Sequence, residues 1–232
     1  MTLAEELKEL LIEKGAALVG FADLSVLKDS EYKYGMSVAV PIPKEIVSGI
    51  INGPTEEYFE AYYESEKMLE QIALAGEEFL LSKGYRTYAQ IGERMSRNKQ
   101  WRSKYAHKTI ATCAGIGWVG KSCLLITKEF GSAVRLSSIL TDAPIDCAEP
   151  ICESKCGDCR RCVEACPAQA ISGVAWDVTV ETDRMLNKEI CREKQKELTK
   201  QVTGRGKDFL CGTCFAVCPY TQRYVRGISN EK

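Results

Sequence analysis

Leu3, Leu7, Leu10 and Leu11 recur at helical spacing, which predicts an amphipathic helix over residues 3–14 that stops at Gly15. The run Ala17-Leu18-Val19-Gly20-Phe21-Ala22 is almost wholly apolar and predicts a buried strand; Ser37-Val38-Ala39-Val40 predicts another, closed by Pro41. Residues 55–83 are Glu-rich and periodic, a long helix with Thr55 as its N-cap and Gly84 as its stop. Gly76 inside it weakens the helix by up to about 1 kcal/mol without forbidding it. A short strand is expected over Thr87–Ile91. The β-rich stretches Cys123–Thr127 and Ala133–Leu140 flank Phe130-Gly131-Ser132 and predict a hairpin. After Asp142-Ala143-Pro144 the pattern changes: only Asp183–Gln201 reads as a long helix, and the rest is cysteine-bearing turns. The expectation is an α+β chain of two domains, 1–144 and 145–232.

Composition narrows the function. The 232 residues are 45% hydrophobic, enough for a real core, and the formal net charge is −1. Near-neutral charge argues against bulk attraction to nucleic acid or membrane, so nucleic acid is expected to be an unlikely partner. The opening Met1-Thr2-Leu3-Ala4-Glu5-Glu6 puts acids where a signal peptide needs bases, and no apolar run approaches the ~18 residues of a membrane span. A soluble, cytoplasmic protein is expected. The stretch 93–108 is basic, with Arg94, Arg97, Lys99, Arg102, Lys104 and Lys108 against Glu93. It reads as a solvated loop, a grip on a cofactor phosphate or an RNA contact with little aromatic interleaving.

Twelve cysteines are the outlier, ten of them from Cys147 onward. Cys156-x2-Cys159-x2-Cys162-x3-Cys166-Pro167 is the bacterial ferredoxin run, and Cys191 with Cys211-x2-Cys214-x3-Cys218-Pro219 is a second copy whose first interval is stretched. Three thiolates in one tight loop can cap three irons of a cubane, while the fourth starts a helix facing elsewhere and ligates the other cluster. This assigns Cys156, Cys159, Cys162 and Cys218 to one [4Fe–4S] cluster and Cys191, Cys211, Cys214 and Cys166 to the other. Zinc also takes four cysteines but leaves the Cys-Pro endings and the reciprocal fourth ligands unexplained. Cys113 and Cys123 read as small buried apolar residues; Cys147 and Cys152 receive no role.

Gly115-Ile116-Gly117-Trp118-Val119-Gly120-Lys121-Ser122 fits the phosphate-loop pattern G-x4-G-K-[ST]. Such a loop opens a helix, yet Cys123-Leu124-Leu125-Ile126-Thr127 reads as a strand. Only about 30 residues remain before the cysteine cassette, too few for the rest of a nucleotide-binding sheet. ATPase is therefore the weakest reading.

The segments His107-Lys108-Thr109-Ile110-Ala111, Ala114 to Lys121, Leu136 to Asp142 and both cysteine runs follow the same order as in epoxyqueuosine reductases, which the chain resembles; more distantly it resembles reductive dehalogenases. The resemblance implies a flavin-less, nitroreductase-like α/β domain that binds cobalamin, followed by the two-cluster ferredoxin-like domain. By matching positions it implies corrinoid contacts from Ala114, Gly115, Gly117, Trp118, Gly120 and Lys121, glycine permitting close backbone approach to a flat macrocycle. Trp118 either stacks or fills core, and His107 either lines the pocket or is structural. The family's acidic proton donor has no counterpart in Gln100–Ala106, which leaves Tyr63 and Glu64 as candidates for that role. The family's C-terminal helical repeats are not present in this sequence.

The functional expectation is an iron–sulfur oxidoreductase that passes electrons from a low-potential donor, such as ferredoxin or flavodoxin, through two clusters to a corrinoid for a reductive reaction. The alternative is a ferredoxin-like carrier, or an activator that reduces a separate corrinoid protein.

Overall fold

The computed structural model describes residues 1–27, 30–95, 105–204 and 209–228. Its strands are β1 (Leu18–Asp23), β2 (Tyr34–Pro41), β3 (Thr87–Ala89), β4 (Gly117–Val119), β5 (Leu125–Thr127) and β6 (Val134–Thr141). Its helices are α1 (Leu3–Glu13), α2 (Lys44–Gly49), α3 (Glu56–Ser82), α4 (His107–Cys113), α5 (Arg161–Glu164), α6 (Thr182–Met185), α7 (Lys188–Thr203), α8 (Thr213–Ala216) and α9 (Pro219–Arg226). They form two compact units: Met1–Val40 with Ser65–Gly117 and Arg135–Ile151, and Pro41–Glu64 with Trp118–Val134 and Cys152–Lys232. The units interleave along the chain, whereas the sequence suggests a single cut near residue 144.

The first unit is built on a four-stranded sheet of order β1-β2-β6-β3, with β1 antiparallel to β2 and β3 antiparallel to β6. One face is apolar. Phe21, Met36, Val38 and Ile139 pack with Leu7 and Leu11 of α1 and with Leu69, Ile72 and Leu80 of α3. Each such fully buried side chain contributes about 1.5–3 kcal/mol relative to exposure. Helix α1 begins as a capping box: Glu5 N–H donates to Thr2 Oγ1 at 3.2 Å and Thr2 N–H to Glu5 Oε2 at 2.8 Å. The expected Thr55 cap of α3 is present, accepting from Tyr58 N–H at 3.3 Å. Gly76 is glycine for a packing reason, because a Cβ there would sit 2.6 Å from Ile139 Cδ1 and 3.0 Å from Leu11 Cδ2.

The other sheet face carries α4. Ala22, Leu24 and Leu140 pack there with Ile110 and Ala114. Gly20 lets the turn after α4 settle on β1, since a Cβ would lie 2.7 Å from the Ala114 carbonyl oxygen.

The second unit holds the short β4–β5 sheet, α2 and the small helices of the cysteine region. Its apolar core joins Ile42, Val47, Ile50, Tyr58, Phe59, Phe215 and Ala216. The expected hairpin is not formed: β5 pairs with β4, and β6 belongs to the four-stranded sheet. The intervening turn is closed by a bridge between Thr127 and Gly131 instead. Cys123, expected to open a strand, is a turn residue in the left-handed region at φ 63°. The long helix expected over 183–201 is two helices, because Leu186 is extended and Asn187 restarts the chain by capping Ile190 N–H at 3.2 Å. Among the described residues no helix is long and apolar enough to cross a membrane.

Candidate iron-sulfur centre

The cysteine run starts in a tight loop. Gly157 takes φ 50°, and Cys159 N–H donates to the Cys156 carbonyl at 3.2 Å. Cys162 lies in α5, and Cys166 follows the end of that helix. Cys191 lies in the first turn of α7, Cys214 in α8, and Cys218 is the N-cap of α9 with Pro219 at the first helical position. Gly212, in the left-handed region at φ 89°, makes the bend between Cys211 and α8.

Electrostatics shows which thiols are neighbours. Burial pushes the Cys162 thiol up to about 11, with further pressure from Cys156, Cys218 and Cys159. Burial likewise raises Cys191 to about 11, reinforced by Cys166 and Cys211. Cys214 is raised well above the ordinary thiol range by burial, then by Cys211, Cys191, Cys162 and Cys166. Burial also raises Cys218, opposed by the backbone N–H groups of Thr221 and Tyr220. Cys218 thus sits with Cys156 and Cys162, whereas Cys166 sits with Cys191 and Cys214. The eight cysteines expected as ligands neighbour one another in this region, and Cys162 also acts on Cys214, ahead of Cys166.

Crowded thiols of this kind, with Cys166 and Cys218 buried and the other six partly buried, are a poor arrangement for a bare protein. Metal ligation reverses the sign, because the thiolate is the ligand and the positive centre favours it. Two [4Fe–4S] clusters fit this donor set.

The remaining cysteines behave differently. Cys113 and Cys123 pack in apolar clusters. Cys147 is half-buried, and burial followed by Asp23 and Asp146 raises its thiol to about 11, while Cys152 is exposed. Since the thiolate is the nucleophile, Cys147 is expected to react with iodoacetamide at pH 7.5 at least about tenfold more slowly than Cys152. Its labelling should accelerate as pH rises from 9 toward 11; peptide mass mapping over that range reads both.

The glycine-rich segment is not a phosphate loop. Residues 117–119 are strand β4, a turn follows, and β5 takes the place where a helix would begin. Lys121 is 7% exposed, and its ammonium donates to the carbonyls of Gly157 at 2.6 Å and Cys159 at 3.2 Å, inside the cysteine loop. The glycines serve the protein's own packing. A Cβ on Gly120 would collide with Ile126 and lie 3.5 Å from Cys156 Sγ; one on Gly115, at φ 67°, would lie 3.1 Å from the Glu149 carbonyl oxygen. Trp118 is 1% exposed and stands edge-on to Tyr220, ring centroids 4.9 Å apart, and its Nε1 has no hydrogen-bond partner among the described residues.

A polar row that the sequence reading missed crosses the α4-facing side of the four-stranded sheet. Ser37 lies opposite Gly20, and Gln90 N–H donates to the Ser138 carbonyl, extending the β3–β6 register. Ser138 Oγ is 3.0 Å from His107 Nδ1. Among the described residues Ser37 Oγ and Gln90 Nε2 are buried without a hydrogen-bond partner. The available signal was a serine interrupting each of the apolar runs of β2 and β6. Ala114 and Gly115 follow α4 in this unit. Tyr63 and Glu64, by contrast, stand exposed on α3, Tyr63 at 41%. Most of the basic stretch, including Arg97, Lys99, Arg102 and Lys104, lies outside the described residues.

Comparison with known proteins agrees with this geometry. Residues 155–221 match the 4Fe-4S double cluster binding domain. The epoxyqueuosine reductase of Listeria monocytogenes is 34% identical over 119 residues, covering 49% of this chain and 29% of the relative. That of Prochlorococcus marinus is 26% identical over 177 residues, covering 71% of this chain and 55% of the relative. The curated relatives are epoxyqueuosine reductases. The chain spans less than two thirds of the length of either relative. In fold it is similar to the catabolic reductive dehalogenase NpRdhA in complex with 3-bromo-4-hydroxybenzoic acid, with a TM-score of 0.72 at 19% identity, over 94% of this chain and 31% of that one. It is also similar to an epoxyqueuosine reductase in complex with an epoxyqueuosine-modified tRNA stem loop, with a TM-score of 0.61 at 23% identity, over 95% and 65%. That complex overturns net charge as a ground for setting nucleic acid aside: an epoxyqueuosine reductase with this fold engages tRNA.

Proposed function

We propose that the chain is an iron–sulfur reductase of the epoxyqueuosine reductase type. Electrons from a low-potential donor such as ferredoxin or flavodoxin pass through two [4Fe–4S] clusters to a corrinoid held by a nitroreductase-like domain. The observation that carries this reading is the pair of thiol quartets with exchanged fourth members. The eight cysteines Cys156, Cys159, Cys162, Cys218, Cys191, Cys211, Cys214 and Cys166 ligate the clusters, which supply one-electron steps when bound; the corrinoid supplies the reductive chemistry.

Support for the corrinoid comes from the unit containing α4. Ser37 Oγ and Gln90 Nε2 are donors without acceptors, and a corrinoid periphery rich in carboxamide carbonyls offers acceptors. Ala114, Gly115 and Gly117 would line it, and His107, steadied by Ser138, would hold a proton at its ring. The relatives make epoxyqueuosine-modified tRNA the first substrate to test. The exposure of Tyr63 and Glu64 favours a second reading, in which the chain reduces a partner corrinoid protein and needs no proton donor of its own.

Replacing Gln90 by Leu separates these readings. Removing an orphaned buried donor leaves the unliganded fold as stable as before or more so. Loss of one hydrogen bond to the corrinoid costs about 1.4 kcal/mol, a tenfold weaker affinity. Anaerobic protein supplied with cobalamin, dialysed and analysed for cobalt and iron should retain about one cobalt per chain. Gln90→Leu should retain less, with iron unchanged. Iron-loaded protein that retains no cobalt would favour the carrier.

A further inference from the structure

Lys121 is a buried cation with an unusual set of partners. It is 7% exposed, and its ammonium donates to two backbone carbonyls, those of Gly157 and Cys159. Among the described residues no carboxylate pairs with it. A buried charge without a counter-charge is costly, and proteins almost always supply one. The loop that Lys121 grips contributes Cys156 and Cys159 to one quartet, and Gly120, its neighbour in sequence, approaches Cys156 Sγ. A cubane carrying four thiolates is anionic and would supply the missing counter-charge.

We propose that Lys121 is the counter-cation of the cluster held by Cys156, Cys159, Cys162 and Cys218 and raises that cluster's reduction potential above that of its partner. The inference rests on the cluster reading of the two quartets. Net charge and hydrogen bonding around a cluster are established determinants of its potential. Gaining an electron makes the cluster more negative, and a fixed ammonium stabilises that state. Beside the other quartet the guanidinium of Arg192 stacks on the Phe209 ring, 3.8 Å from its centroid, a ring contact and not an ammonium held on the carbonyls of a ligand loop. With both clusters bound, an electron would move downhill from that cluster, oxidised by one equivalent, to the Lys121 cluster, reduced by one. Lys121 is a positioning residue that sets the direction of flow toward the glycine-rich segment. The lysine that imitates a phosphate loop in the sequence serves the wire instead.

The test is an EPR-monitored redox titration of anaerobically purified, fully loaded protein and its Lys121 variants. Wild type should show two potentials. Lys121→Met should shift the higher one down by at least a tenfold change in its one-electron equilibrium, about 59 mV, and leave the other in place; Lys121→Arg should keep both. If Lys121→Met loads iron poorly, Lys121→Gln retains a donor for the carbonyls without the charge and should shift the same potential. Full iron content in the variant with both potentials unmoved, or moved equally, would overturn the role of Lys121. Wild-type protein without cluster signals would instead overturn the cluster reading beneath it.

Discussion

Replacing Cys156 and Cys218 together by Ala is expected to leave about four irons per chain, whereas replacing Cys156 and Cys166 together should leave almost none. The contrast arises because the two cysteine runs exchange their last members. Cys218 acts on Cys162 together with Cys156 and Cys159, so the first pair of substitutions damages one cluster twice. Cys166 acts on Cys191 and Cys214, so the second pair damages one cluster each. If each run kept its own fourth cysteine, the two outcomes would be reversed. Iron and acid-labile sulfide analysis of anaerobic protein distinguishes the cases, with the wild type near eight irons as reference. The surviving cluster in the Cys156/Cys218 variant should also be indifferent to Lys121→Met.

Gly131→Ala is expected to be the most damaging single substitution outside the cysteines. Gly131 lies in the left-handed region at φ 58°, and a Cβ there would run into the backbone N and Cα of Thr221, which cannot swing aside. The conformation costs about 1–2 kcal/mol for a residue with a Cβ, and overpacking adds about 1–3 kcal/mol. Thr221 lies in the helix capped by Cys218, and its hydroxyl accepts from Ser132 N–H at 2.9 Å. Relief of the clash therefore displaces a ligand-bearing helix. Gly204→Ala is the matched control, with a similar φ of 65° and open space where its Cβ would be. Thermal melts followed through cluster absorbance should place Gly131→Ala well below Gly204→Ala. Equal melting points would show that the contact with Thr221 is soft.

Where structure is set by neighbours in sequence, it was legible. The leucine spacing of α1, the Thr55 cap and the apolar runs of β1 and β2 each depend on a few adjacent residues, and each element formed near its expected place. The cysteine quartets were legible for a related reason: a ligand loop must close locally, and its spacing is written in the chain. What failed was distant pairing. Phe130-Gly131-Ser132 looked like a hairpin turn, yet β6 is claimed by β2 and β3, and the β3 contact spans about fifty residues. Nothing in the local periodicity separates α6 from α7; Asn187 becomes a cap only when Leu186 is extended. Lys121 shows the same limit. Its pattern matched a phosphate loop letter for letter, but its target lies 36 residues further on, where no local rule reaches. Likewise Ser37 and Gln90 become a shared polar row only when the strand order of the sheet is known.

All of this depends on the two thiol quartets being iron–sulfur sites. The most direct test is quantitative iron, sulfide and zinc analysis of anaerobically purified wild-type protein, read with its visible spectrum. The expected result is a brown protein with about eight irons and about eight acid-labile sulfides per chain. A colourless protein holding about one or two zinc ions in their place would contradict the account.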